Sequence, residues 1–189
     1  MRVIAGKFRS RPLESMPGMD IRPTSDRLRE TLFNVLCAGN KDALAGVTFL
    51  DLFAGTGAVG IEALSRGAGN VVFVESSAKA IVLIQENLKS LGVTAGYSVL
   101  RSDVTAALHK LESAGMIAGL VFLDPPYAGL TLYQGTLEAL GQWSGVSAES
   151  LVIAEHAKRF DPGDSVGKLL RYRKLAQGDA ALSFYRRIT

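Results

Sequence analysis

Asp124-Pro125-Pro126-Tyr127 directly follows the apolar run Leu120-Val121-Phe122-Leu123, which places the tetrapeptide at the carboxyl end of a predicted strand, where open α/β sheets bind their ligands. The prolines fix φ near −65° and lack N–H groups, so the backbone there presents carbonyls without competing donors. Asp124 and the Pro125 carbonyl can then both accept hydrogens from one planar –NH2 group. An exocyclic nucleobase amine is a poor nucleophile because its lone pair is delocalised into the ring. Two acceptors on its hydrogens favour a pyramidal, reactive nitrogen, while Tyr127 can stack on the base, a contact worth about 1–3 kcal/mol. The plain alternative is a turn that stops a strand beside an aromatic that merely packs.

A second constellation raises the chemical reading. The buried strand Val47–Phe53 runs into Ala54-Gly55-Thr56-Gly57-Ala58-Val59-Gly60 and then a helical stretch. Glycines allow close backbone approach, and the helix amino terminus offers N–H groups and partial positive charge to a carboxylate or phosphate. Gly55, Gly57 and Gly60 also fit the literal dinucleotide pattern, with Glu75 about 20 residues on, where a ribose-binding acid belongs. A nicotinamide reading is opposed by Asp51, which would repel a pyrophosphate at the strand end but attract an ammonium group. S-Adenosylmethionine carries that ammonium together with a carboxylate for the glycine loop. The next strand, Tyr97–Arg101, leads to Ser102-Asp103-Val104, an acid placed to accept from an adenine amine. Asp51, Glu75, Asp103 and Asp124 thus put one acid at the end of each of four successive strands. Any single one of them has a second reading as a helix N-cap.

These residues resemble a known family. Asp51-Leu52-Phe53-Ala54-Gly55-Thr56-Gly57, Glu75 and Asp-Pro-Pro-Tyr look like the class I methyltransferases that modify exocyclic amines. Arg2-Val3-Ile4-Ala5-Gly6-Lys7, Arg22-Pro23-Thr24-Ser25-Asp26-Arg27, Arg29–Asn34 and Glu62–Ala68 are similar to the RsmD family of guanine-N2 methyltransferases acting on small-subunit (16S) ribosomal RNA. The resemblance implies a catalytic role for Asp124, Pro125, Pro126 and Tyr127. It implies S-adenosylmethionine as cofactor, with Asp51, Phe53, Ala54, Gly55, Thr56 and Gly57 around its methionine part, Glu75 and Ser76 at the ribose, and Asp103 with Val104 at the adenine. It implies an RNA partner, within an assembled or assembling 30S particle, and puts Arg22 and Thr24 near the mouth of the site. The alternatives are a DNA adenine-N6 or cytosine-N4 methyltransferase using the same tetrapeptide, and a noncatalytic RNA-binding or ribosome-assembly module.

The elements that must position these groups follow from periodicity. Strands near 47–53, 70–75, 97–102, 119–124 and 150–155 alternate with helical stretches near 57–66, 77–91, 103–113 and 130–143, the βαβ rhythm of a doubly wound parallel sheet. Arg2–Ala5 and Phe8–Leu13 read as a hairpin around Gly6-Lys7. Thr24 or Ser25 can cap a helix whose apolar face is Leu28, Leu32, Val35 and Leu36. Lys168–Leu175 and Ala181–Ile188 read as a closing antiparallel hairpin. The expected whole is one α/β methyltransferase domain over 1–189 with a Rossmann-like, mostly parallel seven-stranded sheet: a hairpin and helix extension for RNA over 1–40, and a catalytic core over 41–189.

Composition bounds the partners. The 189 residues are 48% hydrophobic and 21% charged, ordinary for a globular enzyme. Neither a membrane span nor a signal peptide is legible, which leads to the expectation of a cytoplasmic protein. Cys37 is the single cysteine, so no internal disulfide can form, and with only His109 and His156 no ordinary metal site is expected. His156 reads as structural. Residues 1–30 carry seven Lys/Arg against four Asp/Glu, residues 31–157 six against eleven, and residues 158–189 eight against three. An acidic middle suits a cationic sulfonium, and basic ends suit a polyanion. Lys7, Arg9, Arg11 and Arg22 form one candidate RNA patch; Arg171, Arg173, Lys174, Arg186 and Arg187 form a second.

Overall fold

Apolar segments of four to seven residues form β1 (Thr48–Leu52), β2 (Asn70–Glu75), β3 (Tyr97–Arg101), β4 (Leu120–Leu123) and β5 (Leu151–Ala157). Helix α1 (Asp26–Leu36) precedes them, and α2 (Ala58–Ser65), α3 (Ala78–Ser90), α4 (Val104–Ser113) and α5 (Leu130–Gln142) fill the crossovers. Three antiparallel strands complete the sheet: β6 (Ser165–Val166), β7 (Leu169–Gln177) and β8 (Ala180–Arg187). The order is β3-β2-β1-β4-β5-β8-β7-β6, with β1 to β5 parallel. The structure, a computed structural model, describes residues 1–15, 26–126 and 130–188, so the expected caps Thr24 and Ser25, together with Arg22 and Tyr127, lie outside the described residues. The mostly parallel α/β sheet agrees with the sequence; its eighth strand is the two-residue β6, too short to leave a periodic signal.

Alternation along the strands divides the core into two layers. Phe49, Val71, Phe73, Phe122 and Ile153 face one side, under α1, α2 and α3. Leu50, Leu52, Val72, Val121, Leu123, Val152 and Ala154 face the other, under α4 and α5. Successive side chains of a strand point to opposite faces. Asp51, Glu75, Asp124 and Glu155 share the parity of Phe49, Phe73, Phe122 and Ile153, so counting in twos brings all four acids to the carboxyl edge on the side of α2 and α3.

The segment before α1 is not a regular hairpin. A single antiparallel bridge joins Arg2 and Pro12, and the chain between them turns tightly. The reason is competition from side chains of the core. Glu62 of α2 accepts from Ile4 N (2.8 Å) and Ala5 N (3.0 Å), and Ser65 Oγ accepts from Phe8 N (2.9 Å). Gly6 packs so closely on the end of α2, with φ of 82°, that a Cβ there would stand 1.9 Å from the Ser65 carbonyl oxygen. Glu62 also meets Arg66 Nε at 2.8 Å and the wholly buried Arg29 at 3.8 Å. Asn87 of α3 finishes the attachment: it accepts from Glu14 N (2.8 Å) and donates to Glu14 O and to Thr56 O.

Candidate active site

The chain leaves β1 through Phe53, whose φ of 60° is unusual for a bulky residue and redirects the backbone into the glycine turn. Ala54 N donates to Val74 O of β2, and Gly57 N to Ala54 O, which fixes the loop against the neighbouring strand. Gly57 starts α2 with φ of 75° and no side-chain cap. Gly60, one turn further, lies against the sheet: a Cβ there would come 2.3 Å from the Phe73 ring. Helix and strand therefore approach closely, and the amino end of α2 is held at the edge where the acids collect.

Asp51 is only 2% exposed, and its Oδ2 accepts from Gly60 N at 2.8 Å. Burial pushes its carboxyl up to about 8; the Gly60 hydrogen bond opposes this, and the charge of Glu75 adds to it. Glu75 is bound at both oxygens, by Gly55 N (2.9 Å) and Ser77 N (2.8 Å), with the Ser76 hydroxyl at 3.5 Å. It thereby clips the glycine turn to the start of α3. Asp103 caps α4 by accepting from Ala106 N at 2.9 Å, and its second oxygen faces an exposed surface next to the buried Val104.

Asp124 follows β4 one strand over from β1. Loss of water around its carboxyl holds it well above the usual carboxylate range, reinforced by the charges of Glu155 and then Asp51. The pairing of Leu123 with Ala154 makes Asp124 and Glu155 next in register, and Glu155 is 3% exposed. Pro125 is buried and Pro126 exposed. Tyr133 of α5 reaches both strand ends: its hydroxyl lies 2.9 Å from Glu155 O and 3.3 Å from Pro125 O, and its ring packs on Phe160 at 5.1 Å. One phenolic proton can be given to one carbonyl at a time, so Pro125 O retains accepting capacity. Neither Glu155 nor Tyr133 stood among the candidate residues read from the sequence. Glu155 carried a signal, an acid in phase on the fifth strand, masked because β5 continues past it to Ala157.

The basic patches divide differently from the sequence. Lys7 and Arg9 lie by the carboxyl-terminal end of α2, where Lys7 N donates to Ser65 O; Arg11 donates to Ser90 O at the end of α3. Both helix ends point to the amino edge of the sheet, roughly 12 Å (α2) and 20 Å (α3) from the acids at ~1.5 Å per helical residue. The second patch is engaged by protein groups. Arg171 pairs with Asp161 and Asp164, and Lys174 with Asp161 at 2.7 Å. Arg186 donates to the Ala148 and Glu149 carbonyls, Arg187 to those of Trp143 and Val146, and Arg173 stacks over Phe184 at 5.9 Å. His156 is structural: its Nε2 is 2.8 Å from Ser183 Oγ, and burial lowers its affinity for a proton. No helix among the described residues is long and apolar enough to cross a membrane, and no cluster among them is suited to a metal ion.

The sequence profile of the family described as "Conserved hypothetical protein 95" matches residues 1–186. A relative from Bacillus subtilis (strain 168), "Putative rRNA methyltransferase YlbH", is 35% identical over 99% of both chains. "Ribosomal RNA small subunit methyltransferase D" of Escherichia coli (strain K12) is 32% identical over 99% of this chain and 90% of that one. Among solved structures, "Putative methyltransferase yhhF from Escherichia coli" superposes with a TM-score of 0.80 at 31% identity, covering 99% of this chain and 97% of that one. A hypothetical protein of Thermus thermophilus gives 0.81 at 31%, with 97% and 98% covered.

Proposed function

The chain belongs to the family described as Conserved hypothetical protein 95, and on that premise we propose that it transfers a methyl group from S-adenosylmethionine to the exocyclic N2 amine of a guanine in small-subunit ribosomal RNA. The observation that carries the reading is the pair of acceptors at the end of β4, the Asp124 carboxyl and the Pro125 carbonyl, one strand from the glycine turn.

The residues of the turn suit the cofactor by their chemistry. Asp51 is a carboxyl withdrawn from water and Glu75 a half-buried one at the same edge, a surrounding that favours an ammonium and hydroxyls over a pyrophosphate. When bound, S-adenosylmethionine supplies an electrophilic methyl group on a sulfonium, which the amine takes up as the carbon–sulfur bond breaks. Asp51 and the Gly55–Gly57 turn would hold the methionine part, Glu75 with Ser76 the ribose, and Asp103 with Val104 the adenine. Asp124 and the Pro125 carbonyl orient the amine, and Tyr127 stacks on a base taken out of its helix. Asp124, with its raised proton affinity, is suited to receive the proton that the methylated amine sheds. Positioning of this kind can supply ~7–11 kcal/mol of the barrier in favourable cases.

The test offers labelled cofactor with unmodified small-subunit RNA, assembled 30S particles or DNA, followed by nucleoside analysis. N2-Methylguanosine from RNA or particle is the expected product. Label in adenine or cytosine of DNA overturns the substrate assignment, and absence of transfer to every acceptor leaves an RNA-binding module.

A further inference from the structure

Two cations at the carboxyl edge of the sheet, among the described residues, are ones that composition did not single out. Lys158 and Arg159 directly follow β5, so they lie at the carboxyl edge beside Glu155. Both are exposed, and neither is in an ion pair among the described residues. Their backbone is fixed: Lys158 N donates to Asp179 O at 2.7 Å, and Phe160 N closes a turn onto Ala157 O. Asp161, the nearest acid in the chain, is occupied by Arg171 and Lys174, which hold its carboxyl far below the usual range. Asp179 in the β7–β8 turn is the other acid close by.

Direction of approach follows from the strand order. On one side of β4 lie β1, β2 and β3, whose ends carry Asp51, Glu75 and Asp103. A polyanion is repelled there, and the cofactor half of the site is on that side. The described cations of that side follow strands more distant from β4: at ~4.8 Å per strand, Arg101 at the end of β3 is three strands from β4, roughly 14 Å, and Lys79 in α3 follows β2, two strands away. On the other side β5 is one strand away, and its end passes at once into Lys158-Arg159.

We propose that Lys158 and Arg159 receive the RNA backbone phosphates next to the target nucleotide, so that the strand enters over β5 while the cofactor occupies the side of β1 to β3. The inference rests on the RNA methyltransferase reading above. Arg186 and Arg187, two of the eight cations of the carboxy-terminal segment, lie at the amino edge of β5 and serve the fold instead.

The test is the double variant Lys158→Ala/Arg159→Ala, titrated with polyuridylate and with unmodified small-subunit RNA over a range of KCl concentrations. Two lost single-strand contacts reduce the slope of log K against log salt by about 1.4, at ~0.7 per phosphate. The KM for RNA rises roughly tenfold near physiological salt, while kcat at saturation and cofactor affinity hold. Arg186→Gln keeps the wild-type slope. A double variant with wild-type slope and KM overturns the inference and leaves the methyltransferase reading standing. A wild-type protein that methylates no RNA removes the reading itself.

Discussion

A single hydroxyl, that of Tyr133, touches the Pro125 carbonyl of the proposed amine site and the Glu155 carbonyl on the next strand, and its removal tests the geometry without disturbing charge. Tyr133→Phe keeps the ring on Phe160 and deletes one hydrogen bond, worth about 0.5–1.5 kcal/mol. We expect kcat to fall a few-fold to about tenfold with cofactor affinity unchanged; equal loss in both, measured by single turnover and by titration, contradicts a role confined to the acceptor. Asp124→Asn is more severe. It replaces the carboxyl that orients the amine and receives its proton, and should cost about 10²–10³-fold in kcat, while Glu75→Gln weakens cofactor binding first and turnover second, a split that steady-state kinetics with equilibrium binding resolves. Asp51, Glu75, Asp103, Asp124 and the glycine turn were legible because each sits at or just past the carboxyl end of a strand. Glu155 was obscured because its strand continues beyond it. Tyr133 was not legible: helix α5 gives no local sign that a phenol will reach across to two strand ends.

At the scale of elements, α2 does more than bring its amino terminus to the edge where the acids collect. Its buried Glu62 gathers Ile4, Ala5, Arg66 and Arg29, so that one carboxylate fastens the chain's first residues to the core. Glu62→Gln leaves Arg29 buried without that charge; breaking a buried pair costs on the order of 3 kcal/mol, which shifts Tm by roughly 10 °C in a domain of this size. Thermal unfolding checks the shift, and its absence would mean that Asp26 and the Arg2 carbonyl satisfy Arg29 without Glu62. The helices and strands emerged from periodicity within a residue or two. The expected amino-terminal hairpin is present in reduced form: its arms pair through the Arg2–Pro12 bridge, Val3 N to Arg11 O and Leu13 N to Met1 O, while Ile4, Ala5 and Phe8 donate instead to Glu62 and Ser65 across the sequence, and pattern within a short window carries no trace of such partners. For the same reason sequence charge marked Arg171, Lys174, Arg186 and Arg187 as free, although each is bound by a carboxylate or by carbonyls.

Across the whole molecule the acids of the site oppose folding before any cation arrives. Asp51 ionises at 3.8 in a model peptide but only near 8 in the fold. Between those values the native protein holds a proton that the unfolded chain has released, so stability is greatest at the acid end of this window and declines as pH rises, by at most about 1.4 kcal/mol per pH unit for one group. Asp124 is raised for the same reason and acts in the same direction. Urea midpoints of the cofactor-free protein should therefore fall between about pH 5 and pH 8, and Asp51→Asn should flatten the decline. A wild-type decline that Asp51→Asn leaves unchanged would show that Asp51 is ionised in the fold, since the buried His156 acts in the opposite direction in both proteins. The sheet order has a consequence for synthesis. β8 pairs with β5 on one side and β7 on the other, although β7 is made first. While the chain is still emerging from a ribosome, the hydrogen-bonding edge of β5 beside the clustered acids stays open until the strand after the Gly178 turn slots in, so the sheet takes up β8 by insertion rather than by addition at the rim.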